Sequence, residues 1–237
     1  MSRVYTTSEV MAGSTKIKVR QVLLTGDRSA PQSIIAATLS ARNWLQSVIP
    51  IRPSNAYEDT IASIFRFFFH EEPTPERTNI VWTVLNLIRQ GLEQPFAVKI
   101  SNTNPRTLGY VKGYWAACSE RDGQIYMFDE DKNVMRRKGE IHLYRGMLQK
   151  TDITAITLIH EAGHRFANLK DFGNDGYFSE DYSGMESYTL PWGECMRNAD
   201  SYAAFVYFLA NPVFAQTLLT QRLLDSNQNR LALGFYG

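Results

Sequence analysis

The run TDITAITLIHEAGHRF, residues 151–166, constrains the fold of this chain more than any other stretch. Ile153, Ile156, Ile159 and Phe166 recur at helical spacing, so the segment predicts a helix whose apolar side meets a core. Inside it stands HEAGH, which uses two of the chain's four histidines, His160 and His164. Residues four apart on a helix project from the same side, one turn apart, so both imidazoles can reach a single ion. Glu161 follows the first histidine and reaches a water on that ion from the side. Two neutral imidazoles, a carboxylate base and an open position make the arrangement of a zinc hydrolase. A helix that buries two histidines and a glutamate also needs partners for them, because unpartnered polar groups are costly inside a protein.

The rest of the chain supplies that helix with company. Ile34, Ala37, Ala41, Leu45 and Val48 follow helical spacing between Pro31 and Ile49, and Tyr57, Ile61, Ile64, Phe65 and Phe68 make a second apolar face. Thr74-Pro75-Glu76 reads as a helix start, a hydroxyl cap followed by proline in the first turn. Between about Pro95 and Tyr144 the pattern turns to short β-rich runs, FAVKIS, LGYVKGYW, QIYMFD and IHLYRG, separated by turn residues. These predict an antiparallel sheet of three or four strands ahead of the HEAGH helix. KIKVRQVLL, residues 16–24, alternates like a further strand. Residues 170–194 are rich in Gly, Asp, Ser and Tyr and read as a long functional loop. A helix from Asn198 to Ala210 and another opening at Asn211-Pro212 close the sequence. The order predicts an α+β, mainly helical domain over residues 31–237, with residues 1–30 as an N-terminal extension.

Composition removes several classes of function. The 237 residues are 44% hydrophobic and 21% charged, ordinary for a soluble globular protein. Lys plus Arg number 25 against 24 Asp plus Glu, so no charge bias asks for nucleic acid or an anionic membrane as partner. Apolar windows such as IASIFRFFFH fall short of the ~20 residues that a membrane span needs. The N-terminus shows no apolar leader, so the expected location is the cytoplasm, or outside the cell by a specialised secretion route. Cys118 and Cys195 suit one bridge at most and read as ordinary thiols. His70 is expected at the surface and His142 in a structural position within a strand. Arg136, Arg137 and Lys138 follow an acidic run, 129–131, and read as a solvated mixed-charge turn.

A catalytic zinc takes three protein ligands, and the third must come from downstream. The extended HExxHxxGxxH pattern does not continue here: Ala167 stands at its glycine and Lys170 at its third histidine. The alternatives are Asp171 or Asp175, in LKDFGNDGYF, and a later glutamate, Glu186 or Glu194.

The stretch from HEAGH through KDFGNDGYF to Asn198-Ala199-Asp200 resembles the aspzincin zinc metallopeptidases, the deuterolysins and especially the peptidyl-Lys metalloendopeptidases. Those proteins carry HExxH on a helix, then Thr-x-Asp-x-x-Tyr, then a helix that opens with Asn-Ala-Asp. The resemblance implies a zincin-like fold with Zn2+ as cofactor. It implies His160, His164 and Asp171 as metal ligands, Glu161 as general base, and Tyr177 as a hydrogen-bond donor to the oxyanion. It implies Asp200 as the substrate-binding carboxylate for a basic residue after the scissile bond. Asp171 and Tyr177 stand six apart where the family has three, Leu169 holds its threonine position, and Ala203 replaces a second substrate-binding carboxylate. The implied function is that of an endopeptidase acting on protein or peptide with a metal-activated water. A bacterial effector or toxin, with a cognate inhibitor or immunity protein as partner, is the biological setting that follows by analogy. A metal-bearing but inactive binding module, and a zinc amide hydrolase acting on cell-wall peptides, are the rival readings.

Overall fold

Alternating polar and apolar residues build the first element of the computed structural model, which describes residues 5–22, 29–51, 59–101, 109–111, 114–117, 133–136, 139–172 and 190–213. Strand β1 (Tyr5–Ala12) turns at Gly13, whose φ of 60° suits a residue without Cβ, and returns antiparallel as β2 (Thr15–Val22). Ile17 and Val19 point into the core while Lys16 and Lys18 face water, the alternation of a half-buried strand. Helices α1 (Ala30–Val48), α2 (Asp59–Phe69) and α3 (Pro75–Glu93) follow. Thr74 caps α3, its hydroxyl accepting from the Arg77 amide at 3.3 Å, with Pro75 beside it.

The chain then enters β3 (Phe96–Ser101), β4 (Gly109–Val111), β5 (Tyr114–Ala117), β6 (Asn133–Arg136) and β7 (Ile141–Tyr144). One sheet has the order β1-β2-β3-β7-β4, and β5 pairs with β6 in a separate two-stranded sheet. The fold is α+β and mainly helical, as the sequence predicts, but three details differ. The main sheet is mixed: β2, β3 and β7 run parallel, and only the β1–β2 and β7–β4 pairs are antiparallel. Three helices separate β2 from β3, long enough for a crossover that brings the chain back in the same direction. Residues 5–22, set apart above as an extension, supply two of the five strands. Arg136, read as part of a solvated turn, ends a strand. QIYMFD lies outside the described residues.

A 3-10 turn, Arg145–Gln149, leads from β7 into α4 (Thr151–Ala167), followed by the short α5 (Trp192–Cys195) and by α6 (Ala199–Ala210). Helix α4 packs against α1, α3 and α6 and also against β4 and β7, which puts it at the centre of the molecule. It is therefore buried far beyond one stripe: Leu158 and Ile159 are enclosed, and so are Thr154, His160, Glu161 and His164. Ile153, Ile156 and Phe166 are only partly buried. Close approach decides this crossing, since a Cβ added to Gly91 of α3 would lie 2.1 Å from the Phe166 ring. Phe65, Phe68, Phe69, Trp82 and Phe205 form an aromatic layer between α2, α3 and α6, with edge-on ring contacts such as Trp82–Phe205 at 5.7 Å. No helix among the described residues is long and apolar enough to cross a membrane.

Candidate metal centre

The way α4 ends builds the site. Asn168 adopts the left-handed conformation, φ 55° and ψ 31°, and the Leu169 amide donates back to the Gly163 carbonyl at 3.1 Å. This left-handed cap reverses the chain after the last helical turn. The reversal sets the Leu169 carbonyl against His164, whose Nδ1 lies 2.8 Å away. A carbonyl only accepts, so His164 carries its proton on Nδ1 and turns its Nε2 lone pair the other way.

Immediately beyond, Lys170 pairs in parallel with Asn198 at the entrance to α6. The Lys170 amide donates to the Arg197 carbonyl at 2.7 Å, and the Ala199 amide donates to the Lys170 carbonyl at 3.0 Å. That single bridge places Asp171 and Asp200 at opposite nitrogens of His160. Asp171 Oδ1 lies 3.2 Å from Nε2, and Asp200 Oδ1 lies 3.1 Å from Nδ1. The Asp200 carboxylate accepts the Nδ1 proton, so a neutral His160 also directs its Nε2 lone pair toward Asp171.

Three donor atoms consequently meet. His160 Nε2 and His164 Nε2 are 3.0 Å apart, and Asp171 Oδ1 stands 2.9 Å from His164 Nε2 and 3.2 Å from His160 Nε2. Two lone pairs and a carboxylate oxygen at such separations repel one another unless a cation lies among them. Ligands bonded at the usual zinc distances in a tetrahedron lie roughly 3.3 Å from each other, so the triangle has the dimensions of one tetrahedral face. Glu161 is 2% exposed, and one of its oxygens lies within 4.8 Å of both imidazoles. The residues present thus fit a divalent metal, with two nitrogens and one oxygen as donors.

Electrostatics carry the same message. Burial by itself would lower the His160 pKa, but hydrogen bonds to Asp171 and Asp200 and the charges of Glu161 and Asp200 raise it to about 10. Burial would raise the Asp171 pKa, yet bonds to His160 and His164 hold it well below the usual carboxylate range. In the metal-free protein a proton is the cation that the carboxylates attract.

Of the residues singled out in the sequence, the structure brings His160, His164, Glu161, Asp171 and Asp200 together. Tyr177, Asp175 and Glu186 lie outside the described residues, as does Cys118. Glu194 lies in α5. His142 is buried in β7, and His70 is exposed but tethered, its Nδ1 donating to the Leu190 carbonyl at 2.7 Å. Cys195 is buried with its thiol 3.1 Å from the same carbonyl. Sequence reasoning passed over Asn168 and the Lys170–Asn198 bridge. An asparagine just after the last turn of a helix is a signal for the first, since asparagine tolerates the left-handed region. A bridge between distant segments leaves no such mark.

No protein-family model matches the chain, and no curated protein matches it. Among solved structures, the chain is similar to a zinc peptidase from Grifola frondosa at 17% identity with a TM-score of 0.55, over 78% of this chain and 98% of that one. At that identity the likeness is one of fold alone.

Proposed function

We propose that this chain is a zinc-dependent endopeptidase, held to its metal by His160, His164 and Asp171. The observation that carries the reading is the triangle of two imidazole nitrogens and one carboxylate oxygen, with the Glu161 carboxylate beside it. The shared fold with a zinc peptidase supports the same reaction class. Zinc, when bound in such a site, polarises a carbonyl and lowers the pKa of water. The protein's own residues supply the rest. Glu161 accepts a proton from the attacking water and returns it to the leaving amine. Enclosure at 2% exposure keeps that carboxylate close to its task and away from bulk solvent. Tyr177, which lies outside the described residues, is assigned by the family resemblance alone as the hydrogen-bond donor to the developing oxyanion. Among the described residues, strand β4 is one edge of the main sheet and packs on α4, so its outer backbone edge suits an extended peptide. A preference for a basic residue after the scissile bond does not belong to this reading, because Asp200 is engaged with His160 and Ala203 is fully buried.

Glu161→Gln tests the mechanism. The amide keeps the shape of the side chain but cannot take a proton. The variant is expected to bind zinc like the wild type and to lose roughly 10²- to 10⁴-fold in peptide turnover. Unchanged cleavage of an unfolded protein substrate by this variant would exclude Glu161 as the base.

A further inference from the structure

Asp200 invites a different role from the one its Asn-Ala-Asp motif implies. Its Oδ1 is 3.1 Å from His160 Nδ1, at the ring nitrogen remote from Asp171 and His164. Its side chain is 16% exposed and the His160 side chain 9%, so the contact is largely withdrawn from water. The carboxylate is fixed from its own backbone: it stands in the first turn of α6, where the helix dipole favours a negative charge, and the Lys170–Asn198 bridge anchors that turn. One turn further on, Ala203 is fully buried in the core. The face of α6 that would present a second carboxylate to a substrate is therefore turned into the protein. We propose that Asp200 is a positioning residue acting through His160: it accepts the Nδ1 proton, fixes the ring's tautomer and orientation, and so presents Nε2 to the metal. It does not serve as receptor for a basic side chain.

This inference rests on the zinc-site reading above. The two imidazoles then share one design with two different outer partners. His164 gives its Nδ1 proton to a backbone carbonyl and His160 gives its own to a carboxylate. A carboxylate partner raises the basicity of the imidazole it holds, and the loss of such a partner typically weakens metal binding roughly 10- to 100-fold.

The test compares wild type, Asp200→Ala and Asp200→Asn. Zinc affinity is measured by competition with a chromophoric chelator, and kcat and KM are measured on two peptides that differ only after the scissile bond, one with lysine and one with glutamine. Asp200→Ala is expected to lose roughly 10- to 100-fold in zinc affinity. With zinc in excess it should lose kcat equally on both peptides, leaving their ratio unchanged. Asp200→Asn, whose amide oxygen still accepts from Nδ1, should recover most of the affinity and the same ratio. It also decides the matter if the alanine variant does not fold. Zinc binding as tight as wild type in Asp200→Ala, with a loss confined to KM for the lysine peptide, would overturn the positioning role and restore the receptor. So would an Asp200→Asn variant that discriminates against lysine while holding zinc normally. A wild-type protein that retains no zinc overturns both this inference and the function it rests on.

Discussion

At the scale of single residues, the proposed metal would compete with a proton for His160. Its pKa in the folded, metal-free protein is raised from 6.5 to about 10. A folded pKa above the unfolded one contributes stability that is fully present below about pH 6.5 and is lost as the pH rises toward 10. Zinc bound as proposed would act in the opposite sense, because it would have to displace that proton. Its affinity is expected to rise by about tenfold per pH unit between pH 6.5 and 9. Chelator-treated protein should therefore unfold at a lower temperature at pH 9 than at pH 6.5, and added zinc should reverse that order. A zinc affinity that does not change with pH would mean that His160 is already neutral. HEAGH was legible in the sequence because helical spacing alone aligns its side chains. From the residues alone Asp171 is one of several alternatives, and only the family resemblance singles it out; the direction in which Asp200 points is legible in neither. Which nitrogen of a ring a carboxylate meets depends on how α6 lies against α4, and nothing within either segment records that.

At the scale of elements, the end of α4 decides whether the centre is assembled. The left-handed Asn168 turns the chain so that Leu169 can hold His164 and Lys170 can pair with Asn198. Asn168→Gly keeps access to that conformation and should leave zinc affinity near that of the wild type. Asn168→Val cannot adopt it without strain of about 1–2 kcal/mol. The valine variant is expected to lose at least that much stability in urea unfolding and to bind zinc more weakly, since a relaxed cap withdraws the Leu169 carbonyl and Asp171 together. Equal zinc affinity in the two variants would show that the cap does not position the ligands. The helices themselves were legible from their apolar period, and α3 from its cap as well. The sheet was read less well, because strand direction is set by what lies between strands. FAVKIS and IHLYRG give the same alternation whether their neighbours run parallel or antiparallel, and only the long helical crossover distinguishes the two.

At the scale of the whole molecule, the first hairpin joins the sheet to the helices. Strand β2 covers β3 along its length, and Ile17 and Val19 are fully buried. The Arg42 guanidinium of α1 donates to the Ala12 carbonyl at 2.8 Å and to the Thr15 hydroxyl at 3.0 Å. The Thr15 hydroxyl in turn donates to the Glu93 carbonyl at the end of α3, 3.1 Å away. The sequence sets these residues apart as an extension, although residues 16–24 alternate like a strand, because alternation does not record which sheet a strand joins. Their contacts make them part of the core's wall. Ile17→Ala is accordingly expected to destabilise the protein by about 2–4 kcal/mol, the usual result of emptying a packed aliphatic site. Removal of residues 1–24 goes further: it uncovers the edge of β3 and withdraws the partners that hold Arg42. The shortened chain should aggregate or unfold well below the melting temperature of the full protein, and it should bind zinc poorly, although every ligand proposed above remains in it. That consequence separates a structural wall from an appendage. A truncated chain that keeps its melting temperature and its zinc would make the hairpin an extension after all, and would place the folding unit at residues 31–237.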